Sequence, residues 1–153
     1  MKILHDGTEV SDETPTRLVN GKRYLLTQEE IDQREAEAEA SQLAMLPDYN
    51  EQKREQLIAQ GATFDGITIK TDDRTLIFFT NLFMQANADS QFTYNGFNAI
   101  NGRFNLTNAQ IKGLYVAGQT AIKGAFDLYN AVDAKIDNGT ITTTAEIDSE
   151  YEA

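Results

Sequence analysis

Leu76-Ile77-Phe78-Phe79-Thr80-Asn81-Leu82-Phe83-Met84 constrains the fold more than any other stretch. Seven of these nine residues are large and apolar, in a chain that is otherwise polar. Nine residues cannot span a bilayer, which takes roughly 20. A segment apolar on nearly every side is therefore expected to be a buried core element. Asp72 can cap a first helical turn, and Asp73 suits the positive end of a helix dipole, so the stretch predicts a helix. The rest of the C-terminal half then has to wrap it. The capping box Thr107-Asn108-Ala109-Gln110 opens a long helix to about Ile136, closed by Asn138-Gly139. Its inner positions are Ile111, Leu114, Gly118, Ala121, Ala125, Leu128 and Val132, an alternating three–four spacing with small residues in the middle. Small residues let another helix approach closely. Phe79 and Phe83 are expected to be buried against Gly118, Ala121 and Ala125.

The strand signals are short hairpins. Arg17 to Leu26 is one, with Asn20-Gly21 supplying the positive φ angles of a type I′ turn. Residues 2 to 5 alternate weakly before an Asp6-Gly7 turn, and residues 8 to 16, with Pro15, read as an irregular arm. Asp65-Gly66 makes a tight turn before Ile67 and Ile69, which share a strand face. Asn95-Gly96 and Asn101-Gly102 each predict a turn, giving two short hairpins or one meander between 89 and 106. Two or three short strands are not stable alone, so the N-terminal sheet needs a partner.

Between these regions lies a helical arm. Thr27-Gln28-Glu29-Glu30 is a capping box that opens a helix to Leu46, where Pro47 is expected to end it. Only Ile31, Ala38 and Met45 keep a seven-residue spacing, a stripe too thin to bury the helix in a globular core. It reads as a solvated connector or as a weak coiled-coil seam that pairs only in an oligomer. Asp48 can cap a second helix to Gln60, with Gly61 as its left-handed stop. The fold class expected is thus α+β. An N-terminal β-hairpin and long helix arm (1–46) precede a small body of two packed helices with short antiparallel hairpins (47–139). An acidic tail (140–153) follows, either disordered or a short last helix. The residues expected to carry protein interaction are Leu18, Val19, Tyr24, Leu25, Leu26, Ile31, Ala38 and Met45, since hairpin and arm have little core of their own.

Charge and residue inventory narrow the function classes. A formal net charge of −11 repels phosphate backbones, so nucleic acid is not an expected partner. With no cysteine, disulfides, thiolate metal sites and cysteine nucleophiles are excluded. The opening Met1-Lys2-Ile3-Leu4-His5-Asp6 does not have the apolar run of a signal peptide, so synthesis and folding in a cytoplasm are expected. His5 is the only histidine and would have to serve any Ser/His/Asp triad from near the terminus. Asp72 and Asp73 are read as a helix cap rather than metal ligands. Asp133 and Asp137 lie one turn apart without further ligands. Gly113, Gly118 and Gly124 fall inside a helix and not in a phosphate-binding loop. Phe92, Tyr94, Phe97 and Phe104 are expected to face the core, with sugar stacking as the alternative. The acidic face of residues 29 to 39 reads as a solvated helix face. No metal, no cofactor and no enzymatic activity are expected.

Two stretches resemble proteins of tailed bacteriophages. The opening, Met1-Lys2-Ile3-Leu4 through Tyr24-Leu25-Leu26-Thr27-Gln28-Glu29-Glu30-Ile31, resembles the N-terminal hairpin-plus-helix of small phage reading frames near tail genes. The second runs from Lys53-Arg54-Glu55 through Gly61-Ala62-Thr63-Phe64-Asp65-Gly66-Ile67-Thr68-Ile69-Lys70-Thr71-Asp72. It continues through the apolar helix, Asn101-Gly102-Arg103-Phe104 and the helix from Thr107. It is similar to a domain of unknown function at the C-terminal ends of phage tail-fibre and tail-associated proteins. That domain usually has a tryptophan before the second turn; here the candidates are Phe92, Tyr94 and Phe97. The resemblance implies a non-enzymatic protein of the virion tail, or a tail-fibre assembly factor. It implies other tail or fibre proteins as partners, with homo-oligomers as a further possibility. It brings no catalytic residues. The rival readings are a small acidic protein that inhibits a host factor, and a receptor-sugar binding module.

Overall fold

A computed structural model describes residues 1–153. The chain is α+β, with four two-stranded antiparallel hairpins and four helices. It forms two compact units, Met1–Met45 and Leu46–Ala153.

In the first unit, β1 (Lys2–Ile3) pairs with β2 (Glu9–Val10), and β3 (Thr16–Val19) with β4 (Lys22–Leu25). The arm of residues 8 to 16 thus contains a short strand. Asn20 and Gly21 have φ of 50° and 76°, as a type I′ turn requires. The helix α1 (Gln28–Ala59) begins in this unit at the expected box: Glu30 N–H donates to Thr27 Oγ1 at 3.2 Å, and Thr27 N–H to Glu30 Oε2 at 2.8 Å.

α1 does not stop at Pro47. It is one helix of 32 residues, where two helices were expected. An interior proline costs about 3 kcal/mol, because a donor is lost and the ring crowds the preceding turn. The residues on either side offset that cost inside the second unit. Leu46 is fully buried with Val132, Ile141 and Ile147. Asn50 is fully buried; its Nδ2 donates to Tyr129 O at 3.1 Å, and its Oδ1 accepts from Tyr151 Oη at 2.8 Å. Pro47 itself is exposed, so the carbonyl it leaves free meets water.

The second unit continues with β5 (Ala62–Phe64), β6 (Ile67–Ile69), α2 (Asp73–Ala88), β7 (Tyr94–Ala99), β8 (Gly102–Leu106), α3 (Asn108–Asp137) and α4 (Thr144–Glu152). Asp72 caps α2, accepting from Thr75 N–H at 2.8 Å, and that bond holds its carboxyl below the ordinary range. Phe79, Leu82 and Ala86 of α2 are buried with Ile67, Ile69, Leu106, Ile111 and Leu114. The helix is not buried all round. Ile77 and Met84 are 63% and 65% exposed, because α3 and the hairpins cover only part of its circumference. Phe83 also departs from expectation. It is half-buried and stacks on Tyr115 with centroids 4.1 Å apart, whereas the small Gly118 faces Leu76.

One hairpin, not two, occupies residues 94 to 106, and its two-residue loop is Ile100-Asn101. Asn95-Gly96 is a bulge within β7: the register shifts between Tyr94 and Phe97, and Gly96 has φ +74°. The Asn101 side chain binds the β6 hairpin, accepting from Thr68 N–H at 3.0 Å and donating to Gly66 O at 2.7 Å. The acidic tail is the helix α4, packed into the second unit rather than disordered. Its cap is Thr143 with Glu146, and Ile147 is fully buried. Tyr49 Oη and Lys53 Nζ each reach Asp148 Oδ1 at 2.8 Å, and Lys135 Nζ lies 2.6 Å from Glu150 Oε1. The body is therefore more than two packed helices: the end of α1 and α4 close a second core across α3.

Candidate functional site

The residues expected to carry interaction all lie in the first unit. Its only buried apolar side chain is Leu4. Register sorts the hairpin into two faces. Arg23 opposes Leu18 and Leu25 opposes Thr16, which puts these four on one face and Arg17, Val19, Lys22 and Tyr24 on the other. The second face is partly taken. Tyr24 is half-buried and stacks on His5 at 4.1 Å, and Arg17 Nη1 meets Glu30 Oε1 at 2.5 Å. The Glu30 carboxyl is held low, chiefly by the Thr27 N–H and further by the Arg17 charge. The first face is open: Leu18 and Leu25 are 63% and 49% exposed. Val19 is exposed on the opposite side of the strand; Leu26 is half-buried, its N–H bonded to Pro15 O.

Along α1, Ile31 is half-buried, and every residue from Asp32 to Met45 is exposed, Ala38 and Met45 among them. A helix segment this polar and this bare gains nothing from packing, which is where most helices in proteins get their stability. The expected residues thus form two open surfaces, the Leu18/Leu25 face and the outer helix. Tyr24, Leu26 and Ile31 are instead partly spent in holding the unit together.

The other candidates have structural partners. His5 is part of the ring stack with Tyr24, and Asp72 is the α2 cap. Phe92, Tyr94, Phe97 and Phe104 pack against the main core. Phe78, Tyr94 and Phe97, with Arg74 and Thr75, also border a recess of about 290 Å³. No group of three or more His, Asp or Glu side chains is arranged to hold a metal ion. No helix is long and apolar enough to cross a membrane.

Two features escaped the sequence reading. Arg54 lies between the rings of Phe126 and Tyr129, its guanidinium carbon 4.9 and 4.8 Å from their centroids, with Nε buried and unpaired. The i, i+3 aromatic pair on α3 was its only local signal. The second is a groove of about 680 Å³ between β5 and α3. The Phe64 ring lies directly on Gly113, where a Cβ would stand 2.2 Å from Cε1. A glycine inside a long helix was the available sign of that close approach.

Residues 29–153 match the family described as Domain of unknown function (DUF4376), and the chain belongs to that family. No curated protein and no solved structure matches the chain. The matched region takes in nearly all of α1 and everything after it, and leaves β1–β4 outside.

Proposed function

We propose that this is a non-enzymatic, tail-associated structural or interaction protein of a tailed bacteriophage, either a virion component or a tail-fibre assembly factor, and that the N-terminal arm is its attachment module. The resemblance of both halves to phage tail proteins supports the reading. The observation that carries the attachment role is the open Leu18/Leu25 face beside an α1 segment exposed on every side. Uncovered strands recruit strands or apolar surfaces from other chains. The four N-terminal strands also precede the family match, as suits an element that decides what the shared domain is joined to. The expected partners are other tail or fibre proteins, or further copies of this chain.

Deleting residues 1–26 tests it. The second unit should change in stability by less than ~1 kcal/mol, the scale for sites away from a core, while oligomerisation or incorporation into particles is lost. A large stability loss with assembly intact would refute the attachment role. The exposed acids Glu29, Asp32, Glu35, Glu37 and Glu39 favour one other reading, a small acidic protein that binds a host factor. Finding the chain in purified particles separates the two.

A further inference from the structure

We propose that the outer edge of β5, with the groove it forms against α3, accepts a β-strand, and that the strand is β3 of a second copy of this chain. The proposal rests on the reading of the arm as an attachment module and gives that arm a partner.

The hydrogen-bond register defines the acceptor. Thr63 opposes Thr68 in the β5–β6 hairpin. Thr68 uses its backbone outside that hairpin: its N–H donates to Asn101 Oδ1 at 3.0 Å, and its C=O accepts from Ile100 N–H at 2.8 Å. Opposed residues of an antiparallel pair either bond each other or both point outward. Thr63 N–H and C=O therefore point out of the other edge, and no protein group meets them. One side of the hairpin is sealed by Asn101, and the other is open.

That open edge borders the groove. Gly61 to Phe64 form one wall, and Gly113, Val116, Ala117 and Thr120 of α3 form the other. Phe64 and Val116 are 40% and 55% exposed on its rims. A free strand edge beside an apolar groove with a small-residue floor suits strand addition: backbone bonds form along the edge, and alternate side chains enter the groove.

The same register argument defines the donor. Leu18 opposes Arg23, whose C=O accepts from His5 N–H at 2.6 Å outside the hairpin. Leu18 N–H and C=O thus lie on the outer edge of β3, where Leu18 and Val19 are 63% and 44% exposed. Charge favours the encounter. Thr16 to Leu26 carries Arg17, Lys22 and Arg23 and no acid, while residues 46–153 carry eight Lys/Arg against fourteen Asp/Glu. Lys112 is the only charged residue on the groove lining, so charge acts on approach through the unit as a whole, and the strand edge and apolar groove supply the contact itself.

The absence of native cysteine makes the test clean. Full-length Leu18→Cys is mixed with full-length, mass-tagged Thr63→Cys under mild oxidation, so that only a contact between copies can give the mixed disulfide. In parallel, sedimentation of the full chain compares wild type, Val116→Lys and Leu18→Asp; Leu18, Thr63 and Val116 are all exposed. Formation of the mixed disulfide, with association weakened about tenfold or more by both substitutions (~1.4 kcal/mol), is the expected result. A wild-type chain that stays monomeric overturns the proposal. If Leu18→Asp abolishes association while Val116→Lys leaves it unchanged and no mixed disulfide forms, the β5 groove is excluded and the attachment role of the arm stands. If the chain associates and neither substitution matters, both readings fall.

Discussion

Phe79→Ala should cost about twice as much as Phe83→Ala, four residues further along α2. Phe79 is completely buried and meets Phe78 and Phe97 edge-on at 5.6 and 5.1 Å. Truncation removes the transfer free energy of the ring and leaves a cavity in a cluster that also holds Ile67, Ile69 and Leu114, all buried. The usual range for such a change is ~3–5 kcal/mol. Phe83 is half-exposed, and its principal partner is the Tyr115 ring. About half of a side-chain burial term of ~1.5–3 kcal/mol is at stake there, plus ~0.5–1.5 kcal/mol for the aromatic pair, so its loss should be ~1.3–3 kcal/mol. Urea melts followed by far-ultraviolet circular dichroism supply both numbers. The chain has no tryptophan, so tyrosine fluorescence serves as the second probe. Equal slopes for the two variants would show that the native state is retained. A Phe79→Ala loss below ~1 kcal/mol, or a larger loss for Phe83→Ala than for Phe79→Ala, would refute this account of the core.

Two further outcomes follow from particular contacts. Gly113→Ala should stabilise the protein by about 1 kcal/mol in a Phe64→Ala background, because alanine is the better helix former. With Phe64 present the gain should shrink or reverse, since the new Cβ would lie 2.2 Å from that ring; additive effects in a double-mutant cycle would argue against the contact. Asp148 is held below its ordinary pKa, first by Lys53 and then by Tyr49. Its contribution is present above the unfolded value of about 3.9 and is lost as pH falls through the lower folded value. Asp148→Asn should therefore flatten the acid limb of stability below pH ~4, and an unchanged limb in acid titration would exclude the clasp.

The interaction residues were only partly legible. Leu18, Val19, Leu25 and Met45 were singled out as apolar residues with no visible core, and they are exposed. Tyr24 and Ile31 have the same local character but are half-buried. The difference lies in partners distant along the chain, such as His5 for Tyr24, 19 positions earlier. The β5 groove was out of reach, because it exists only where β5 and α3, separated in the chain by α2 and a hairpin, come together.

What the sequence alone determined are features settled within about one turn of chain. The caps at Thr27, Asp72 and Thr107 bond to the N–H three residues on. The turns at Asn20-Gly21 and Asp65-Gly66 take positive φ at both positions. Thr143-Thr144-Ala145-Glu146 carried the same kind of capping signal for α4, and it was as readable as the others. Tertiary structure decided where local preferences were overruled or tied. Pro47 should break a helix, yet the helix continues because Asn50 is bonded to Tyr129 and Tyr151, 79 and 101 positions away. Asn95-Gly96 and Asn101-Gly102 are equivalent as dipeptides. Only the Ile100-Asn101 loop can hold the Asn101 side chain against Gly66 and Thr68, so the other becomes a bulge. Whether Ile77 or Phe79 faces the core is likewise undetermined in a stretch apolar on most sides. Periodicity carries no information there, and the placement of α3 and the hairpins makes the choice.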